Sequence, residues 1–288
     1  MSLLHRAEPW SHWVFEDPDS GDQLRLVPER GGLVTGWRSA GREVLYLDQD
    51  RFADPALSVR GGIPVLFPIC GNLPGDQLTV AGQAYPLRQH GFARDLPWQL
   101  APLADGRGVT LTLADGPQTR AQFPFAFQLS LELRLGPGSL AITARVRHCG
   151  AAGEAPMPFS LGLHPYFAVA DPGQVRLEGL PPRCLNHLTM APAATEELLP
   201  RLGDGVDFFC ADAAAVRLVD PLEGRELVLE TQAPFDCVVV WTEPPRAMVC
   251  LEPWTAPRQA LVSGERRLSL AAGEQLEFQC CYRVAALA

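Results

Sequence analysis

The stretch Phe127-Gln-Leu-Ser-Leu-Glu-Leu-Arg-Leu135 alternates without a break: each odd position is apolar and each even one polar. Side chains of a strand point to opposite faces in turn, so this pattern fits a strand with one face in a core and one in water. One wet face is the habit of antiparallel sheets. Gly136-Pro-Gly-Ser139 then reads as a hairpin turn into a second strand over Leu140–Val146. Alternating or β-rich runs recur at Val109–Leu113, Val216–Leu218, Leu227–Leu229, Val238–Trp241, Arg267–Leu270 and Leu276–Cys280. Turn signals such as Asp105-Gly106, Asp115-Gly-Pro117 and Pro221-Leu-Glu-Gly224 separate them, and 26 glycines and 27 prolines supply many more. No long amphipathic helical stripe is present; the candidate helices are short, for instance around Thr195–Leu199. Strands running from end to end predict an all-β sandwich. With no linker, composition break or repeat, residues 1–288 are expected to form a single domain, and Pro181-Pro182 and Pro244-Pro245 are expected to be loops.

Charge narrows the function. The net charge is −9, which disfavours broad attraction to nucleic acid or to an anionic membrane. All 24 basic residues are arginines, so a Schiff-base lysine and a P-loop ending in Gly-Lys-Ser/Thr are excluded. An anionic substrate would need a local arginine cluster. No apolar run approaches the ~18 residues of a membrane span. The segment Met1–Trp13 carries His5, Arg6, Glu8 and His12 and lacks an apolar signal core, so a cytoplasmic location is expected. The eight cysteines are scattered, none in a Cys-x-x-Cys pair, and several sit in apolar runs. They read as reduced core thiols. No clustered ligand spacing suggests a zinc site, and no metal or cofactor is expected.

The polar residues that stand out lie among glycines, prolines and aromatics. They fall in Arg60-Gly-Gly-Ile-Pro-Val-Leu-Phe-Pro68 with Gln89-His-Gly-Phe-Ala-Arg94, in Leu163-His-Pro-Tyr-Phe167, and in Leu251-Glu-Pro-Trp-Thr255. His164 precedes a proline, which holds its backbone extended. Glu252 ends an apolar strand, where an unpaired carboxylate is costly to bury. A histidine and a carboxylate flanking one substrate supply a proton donor and a proton acceptor near neutral pH. Trp241 and Trp254 could offer flat apolar faces to a sugar ring, and Arg60 and Arg94 could clamp an anion. Taken singly, each of these residues has an ordinary structural explanation.

In this order, the segments resemble the aldose 1-epimerase (mutarotase) superfamily, most of all its hexose-6-phosphate mutarotase branch. The matching residues are Arg60-Gly-Gly-Ile-Pro, His90-Gly-Phe-Ala-Arg94 with Trp98, Phe123-Pro-Phe-Ala-Phe127, Leu163-His-Pro-Tyr-Phe167 and Leu251-Glu-Pro-Trp254, spanning about Val27 to Val284. The resemblance implies a large antiparallel β-supersandwich of galactose mutarotase-like type with the sugar in an open cleft. It implies His164 as general acid and Glu252 as general base, with Arg60, Gln89, His90, Arg94 and Trp254 at the substrate. It also implies a hydroxyl-binding aspartate, for which Asp207 matches best and Asp204 and Asp236 are rivals.

The implied reaction is interconversion of the α and β anomers of an aldose by ring opening and reclosure, without a cofactor. The partner is a small sugar or sugar phosphate, and a monomer is favoured over an oligomer. Arg60 and Arg94 match arginines used near the phosphate, with Arg88 as a possible third, which favours a hexose 6-phosphate such as glucose 6-phosphate over a neutral aldose. A non-enzymatic sugar sensor of the same fold is the alternative class, disfavoured because both His164 and Glu252 are present. A glycoside hydrolase would need two carboxylates across the scissile bond, and only Glu252 stands in a fitting motif.

Overall fold

The computed structural model describes residues 3–287. Three antiparallel sheets dominate it. The first has five strands, Leu3–Arg6, His12–Glu16, Gln23–Val27, Leu33–Ser39 and Arg42–Glu43, each paired to the next. The second has eight strands, in spatial order Arg176–Glu178, Ala215–Asp220, Arg225–Thr231, Gln275–Ala286, Ser139–His148, Phe127–Gly136, Gly108–Ala114 and Gln99–Pro102. Its centre is the hairpin read from the alternation: Phe127 pairs with His148 and Gly136 with Ser139. The odd residues of Phe127–Leu135 are buried, and the even ones are half-buried or exposed.

The third sheet, also of eight strands, carries the site. Its order is Ala191–Ala194, Arg183–Asn186, Asp207–Cys210, Cys237–Trp241, Met248–Trp254, Gly162–Leu163 and Val65–Leu66. Tyr166–Ala168 also pairs with Met248–Trp254. Both faces of Met248–Trp254 are covered, and all seven of its residues are buried. Val249 and Leu251 join the main core, which also holds Leu131, Ile142, Leu229 and Phe278 of the second sheet and Phe15, Leu24 and Trp37 of the first. The pleat therefore sends Cys250, Glu252 and Trp254 to the opposite face. Next door, Val238 and Val240 face the core, leaving Val239 and Trp241 on the same face as Glu252.

Register finishes the arrangement. Asp207 stands opposite Trp241, Trp241 opposite Cys250 and Cys250 opposite Tyr166, making one row across the sheet. Gly162 pairs with Trp254 and Tyr166 with Cys250, two pairings in a single register. His164, midway between Gly162 and Tyr166, therefore falls opposite Glu252.

The expected short helix is present as Thr195–Leu198, and both diproline pairs lie in loops. The cysteines depart in part from expectation. All eight are free and six are buried, but Cys149 is exposed and Cys281 half-buried, because each sits where its chain segment faces solvent.

Candidate active site

A cavity of about 250 Å³ opens over this face of the third sheet. It is lined by Ser58, Arg60, Gln89, His90, Arg94, His164, Tyr166, Asp207, Val239, Trp241, Glu252, Trp254 and Arg258. All eight residues expected at the site from sequence are among them. Depressions of about 510 and 340 Å³ lie elsewhere, on open sheet surface, and neither includes His164 or Glu252.

The floor is the cross-strand pair. His164 Nε2 lies 3.3 Å from Glu252 Oε1. The imidazole stacks on Tyr166 (ring centroids 4.8 Å apart, 15° between planes) and meets Trp241 edge-on at 5.5 Å. Burial, aided by the charge of Arg94, pushes the His164 pKa down to about 3. Burial pushes that of Glu252 well up, and nearby Asp207 adds to the shift. The Trp254 indole N–H, which donates to Glu252 Oε2 at 3.0 Å, works the other way, as do Arg258 and Arg94. Both members of the pair are thus driven toward their uncharged forms.

His90 is held in a fixed state. Its backbone is left-handed (φ 66°), a region that histidine enters more readily than most side chains. Its backbone N–H donates to the Gly71 carbonyl at 2.7 Å, and the Gly71 N–H donates back to His90 Nδ1 at 3.1 Å. Nδ1 is therefore an acceptor, which in the neutral ring leaves the proton on Nε2. Burial and the charge of Arg94 hold the ring well below the usual histidine pKa, so it serves as an uncharged donor. The following Gly91 has no substitute: φ is +68°, and a Cβ there would lie 2.2 Å from the Phe67 carbonyl oxygen. Gly71 is bound similarly, since a Cβ would meet the Arg258 stem at 2.2 Å.

Three guanidinium groups reach the cavity, and they are not equivalent. Arg60 is bound to Glu243 (Nε to Oε2, 2.9 Å) and lies over the Trp241 ring at 5.6 Å. Arg258 donates to Asp207 Oδ2 at 3.0 Å. Arg94 donates to the Gln89 carbonyl at 3.0 Å and makes no ion pair among the described residues. Burial lowers its pKa, with Asp95 opposing, but an arginine remains charged.

Several expectations need correction. Arg88 is exposed and off the cavity; Arg258 supplies the third cation instead. Arg258 follows the Glu-Pro-Trp segment by four residues, and a lone arginine in a loop gives no signal of its direction. Asp204 and Asp236 do not line the cavity, whereas Asp207 does. Asp236 is instead bound to Arg266. Trp254 is almost wholly buried, so its main visible contact is with Glu252; Trp241 is the more exposed indole. His187 was not anticipated: its Nδ1 lies 2.7 Å from Asp207 Oδ1, and its ring lies near-parallel to Trp254 at 6.2 Å. The absence of clustered metal ligands holds only along the chain. In space, His164, Cys250 and Glu252 bring three donor atoms within 4.8 Å of one another.

An antiparallel sandwich whose cleft joins an imidazole–carboxyl pair to indoles and guanidinium groups places the molecule among galactose mutarotase-like proteins. A galactose mutarotase-like protein from Lactobacillus casei superposes with a TM-score of 0.76 over 95% of this chain and 100% of its own, at 20% identity, a likeness of fold. A crystal structure from Synechocystis sp. PCC 6803 is nearer, with TM-score 0.89 and 36% identity over 99% of this chain and 97% of its own. The chain belongs to the aldose 1-epimerase family, whose model matches residues 24–283. A Cenchrus ciliaris protein provisionally named glucose-6-phosphate 1-epimerase is 28% identical over 85% of this chain and 76% of its own length. An Escherichia coli K12 protein of the same provisional name is 31% identical over 56% of this chain and 51% of its own.

Proposed function

We propose that this protein interconverts the anomers of a hexose 6-phosphate, with His164 and Glu252 exchanging protons with the sugar. The observation that carries the reading is the 3.3 Å approach of His164 Nε2 to Glu252 Oε1 on the floor of an open cavity with three arginines. One group takes the proton of the anomeric hydroxyl and the other protonates the ring oxygen. The C1–O5 bond breaks to give the open aldehyde, rotation about C1–C2 turns the carbonyl, and reclosure with the roles reversed yields the other anomer. The family resemblance makes Glu252 the base and His164 the acid in the opening step. Because closure reverses the roles, the pair needs only one transferable proton and one free lone pair. Burial keeps His164 an uncharged imidazole, and the Trp254 indole N–H, Arg258 and Arg94 favour the Glu252 carboxylate, the form that accepts the first proton, against burial and Asp207.

His90 Nε2–H is placed to donate to a sugar oxygen, and Asp207 is placed to accept from a sugar hydroxyl. The cavity carries three arginines against two carboxylates in a chain of net charge −9, a local excess that suits a phosphate. Acting on a phosphorylated sugar implies a cytoplasmic protein. Among the described residues no helix is long and apolar enough to cross a membrane. A second reading, a neutral-aldose epimerase, draws on the ion pairs of Arg60 and Arg258 with Glu243 and Asp207, which leave Arg94 as the least committed cation.

Saturation-transfer NMR on the anomers of glucose, galactose and glucose 6-phosphate tests the reading. Faster exchange for glucose 6-phosphate is expected, lost by about 10²–10⁴-fold in His164→Asn or Glu252→Gln with the melting transition retained. Binding without accelerated exchange would make the protein a sensor, and equal acceleration of glucose and glucose 6-phosphate would support the neutral-sugar reading.

A further inference from the structure

Of the cavity arginines, Arg60 alone is paired, among the described residues, to a carboxylate that does not line the cavity. Its Nε donates to Glu243 Oε2 at 2.9 Å, and its Nη2 faces Oε1 at 3.5 Å. Glu243 follows Trp241 by two residues, just past the end of Cys237–Trp241, and the Arg60 guanidinium lies over that indole. The same Glu243 oxygen accepts from Arg246 Nη1 at 2.7 Å, and Arg246 Nη2 reaches Asp48 Oδ2 at 3.2 Å. Charges of opposite sign thus alternate along Arg60, Glu243, Arg246 and Asp48. The outer end is anchored, because Asp48 Oδ1 also accepts from the Arg51 backbone N–H at 3.0 Å. The inner end is Arg60, which faces the cavity.

Two features make Arg60 able to change partner. Glu243 keeps Arg246 when Arg60 turns away, so no carboxylate is stranded. The Arg60–Glu243 pair is also partly open to water, at 27% and 32% of the two side chains, and such pairs hold weakly. A phosphate offers the guanidinium stronger, bidentate hydrogen bonds. Arg60 Nη1 meanwhile donates to Ser58 Oγ at 3.2 Å, a tether that does not involve Glu243. We propose that Glu243 is a specificity-determining residue acting through Arg60: it competes with the anionic group of the substrate for that guanidinium, and so sets how strongly the cavity prefers a phosphorylated sugar to a neutral one. With Glu243 in place, Arg60 adds little net charge to the cavity. An arriving phosphate takes over the Nε–H and Nη2–H of Arg60, and Glu243 turns wholly to Arg246. Only hydrogen bonds change hands. The preference between sugars rests on the proposed function; the competition for Arg60 does not.

The test titrates the full chain with inorganic phosphate at fixed ionic strength, followed by calorimetry, an arm that needs no catalytic activity. Glu243→Gln keeps the shape of the side chain and removes its charge. It is expected to bind phosphate about 2–5-fold more tightly than wild type, the worth of an exposed ion pair. In an Arg60→Ala background the same change should lose that gain, because no guanidinium is left to compete for. Equal or weaker binding by Glu243→Gln, a gain that survives in Arg60→Ala, or no phosphate binding by any variant overturns the proposal. In the second arm, KM for glucose 6-phosphate should fall by the same factor in Glu243→Gln while KM for glucose moves less. A fall shared equally by both sugars overturns the specificity role. Wild type that accelerates glucose and glucose 6-phosphate alike, with the phosphate arm as expected, overturns the hexose 6-phosphate reading and leaves the competition for Arg60 standing.

Discussion

The indole N–H of Trp254 donates to Oε2 of Glu252 at 3.0 Å, two residues along one strand and on one face of it. This bond favours the carboxylate, whereas burial and Asp207 favour the acid. Replacing the indole with a ring that cannot donate removes the contribution on the carboxylate side. Trp254→Phe is therefore expected to move the Glu252-dependent limb of the rate–pH profile to higher pH and to lower the rate at pH 7. The profile of kcat/KM for anomer exchange checks it, and an unmoved limb would show that the bond does not tune the carboxyl.

Arg94 and Arg60 should differ in weight. Arg60 already shares its charge with Glu243, whereas Arg94 makes no ion pair among the described residues. A hydrogen bond to a charged group contributes about 1.5–3 kcal/mol, or roughly 10–100-fold in binding. Arg94→Ala is expected to raise KM for glucose 6-phosphate by that factor and to leave KM for glucose nearly unchanged, with Arg60→Ala showing a smaller split. Steady-state kinetics on both sugars decides; equal effects on the two would remove Arg94 from the phosphate.

His187 acts through Asp207. Asp207 accepts from His187 on one oxygen and from Arg258 on the other, which fixes the carboxylate plane against the cavity. His187→Phe keeps a flat ring beside Trp254 but loses the donor, and on the order of a tenfold rise in KM is expected, from a charged hydrogen bond of about 1.5–3 kcal/mol. His187→Asn, which returns an N–H near the Nδ1 position, should recover most of it. Matched melting temperatures with different KM values would separate positioning from simple loss of packing.

Acid should weaken the fold partly through His164. Its pKa falls from 6.5 to about 3 on folding, so between those values the unfolded chain holds more protons. Stability from this group is thus fully present above about pH 6.5 and is lost as the pH falls toward 3. Glu252, shifted upward, acts in the opposite sense, its stabilisation fading as the pH rises through its folded value. In His164→Asn the slope of unfolding free energy against pH between about 6 and 4 should be shallower by up to about 1.4 kcal/mol per pH unit. Denaturant unfolding at several pH values measures it, and an unchanged slope would mean that His164 titrates freely in the folded chain.

The chemistry was legible where a motif joined a reactive side chain to a backbone need. His90-Gly91 could be read because it stands in a His-Gly-Phe-Ala-Arg segment that resembles the family's, and Glu252-Pro-Trp254 because a carboxyl within an apolar run is conspicuous. Arg258 and His187 were not legible. Each is a single polar residue in an unremarkable local context, and its importance comes from Asp207, which lies 51 residues from the one and 20 from the other. Cys250 reads as a core thiol and is one, buried against Tyr166 and Met248 and off the cavity lining.

By itself the sequence determined the class of element and the inventory of reactive groups. Alternation with a period of two is a local property, written residue by residue in Phe127–Leu135, and it leaves little choice but an antiparallel strand with one buried face. The presence of arginine without lysine likewise limits which chemistry is possible. Only the tertiary structure decided which groups meet. His164 faces Glu252, 88 residues away, because Gly162–Trp254 and Tyr166–Cys250 share one register. A slip of one residue would turn Glu252 into the core and leave His164 without its partner. Register is set by the packing of whole faces against one another, a long-range balance that no short stretch of chain encodes.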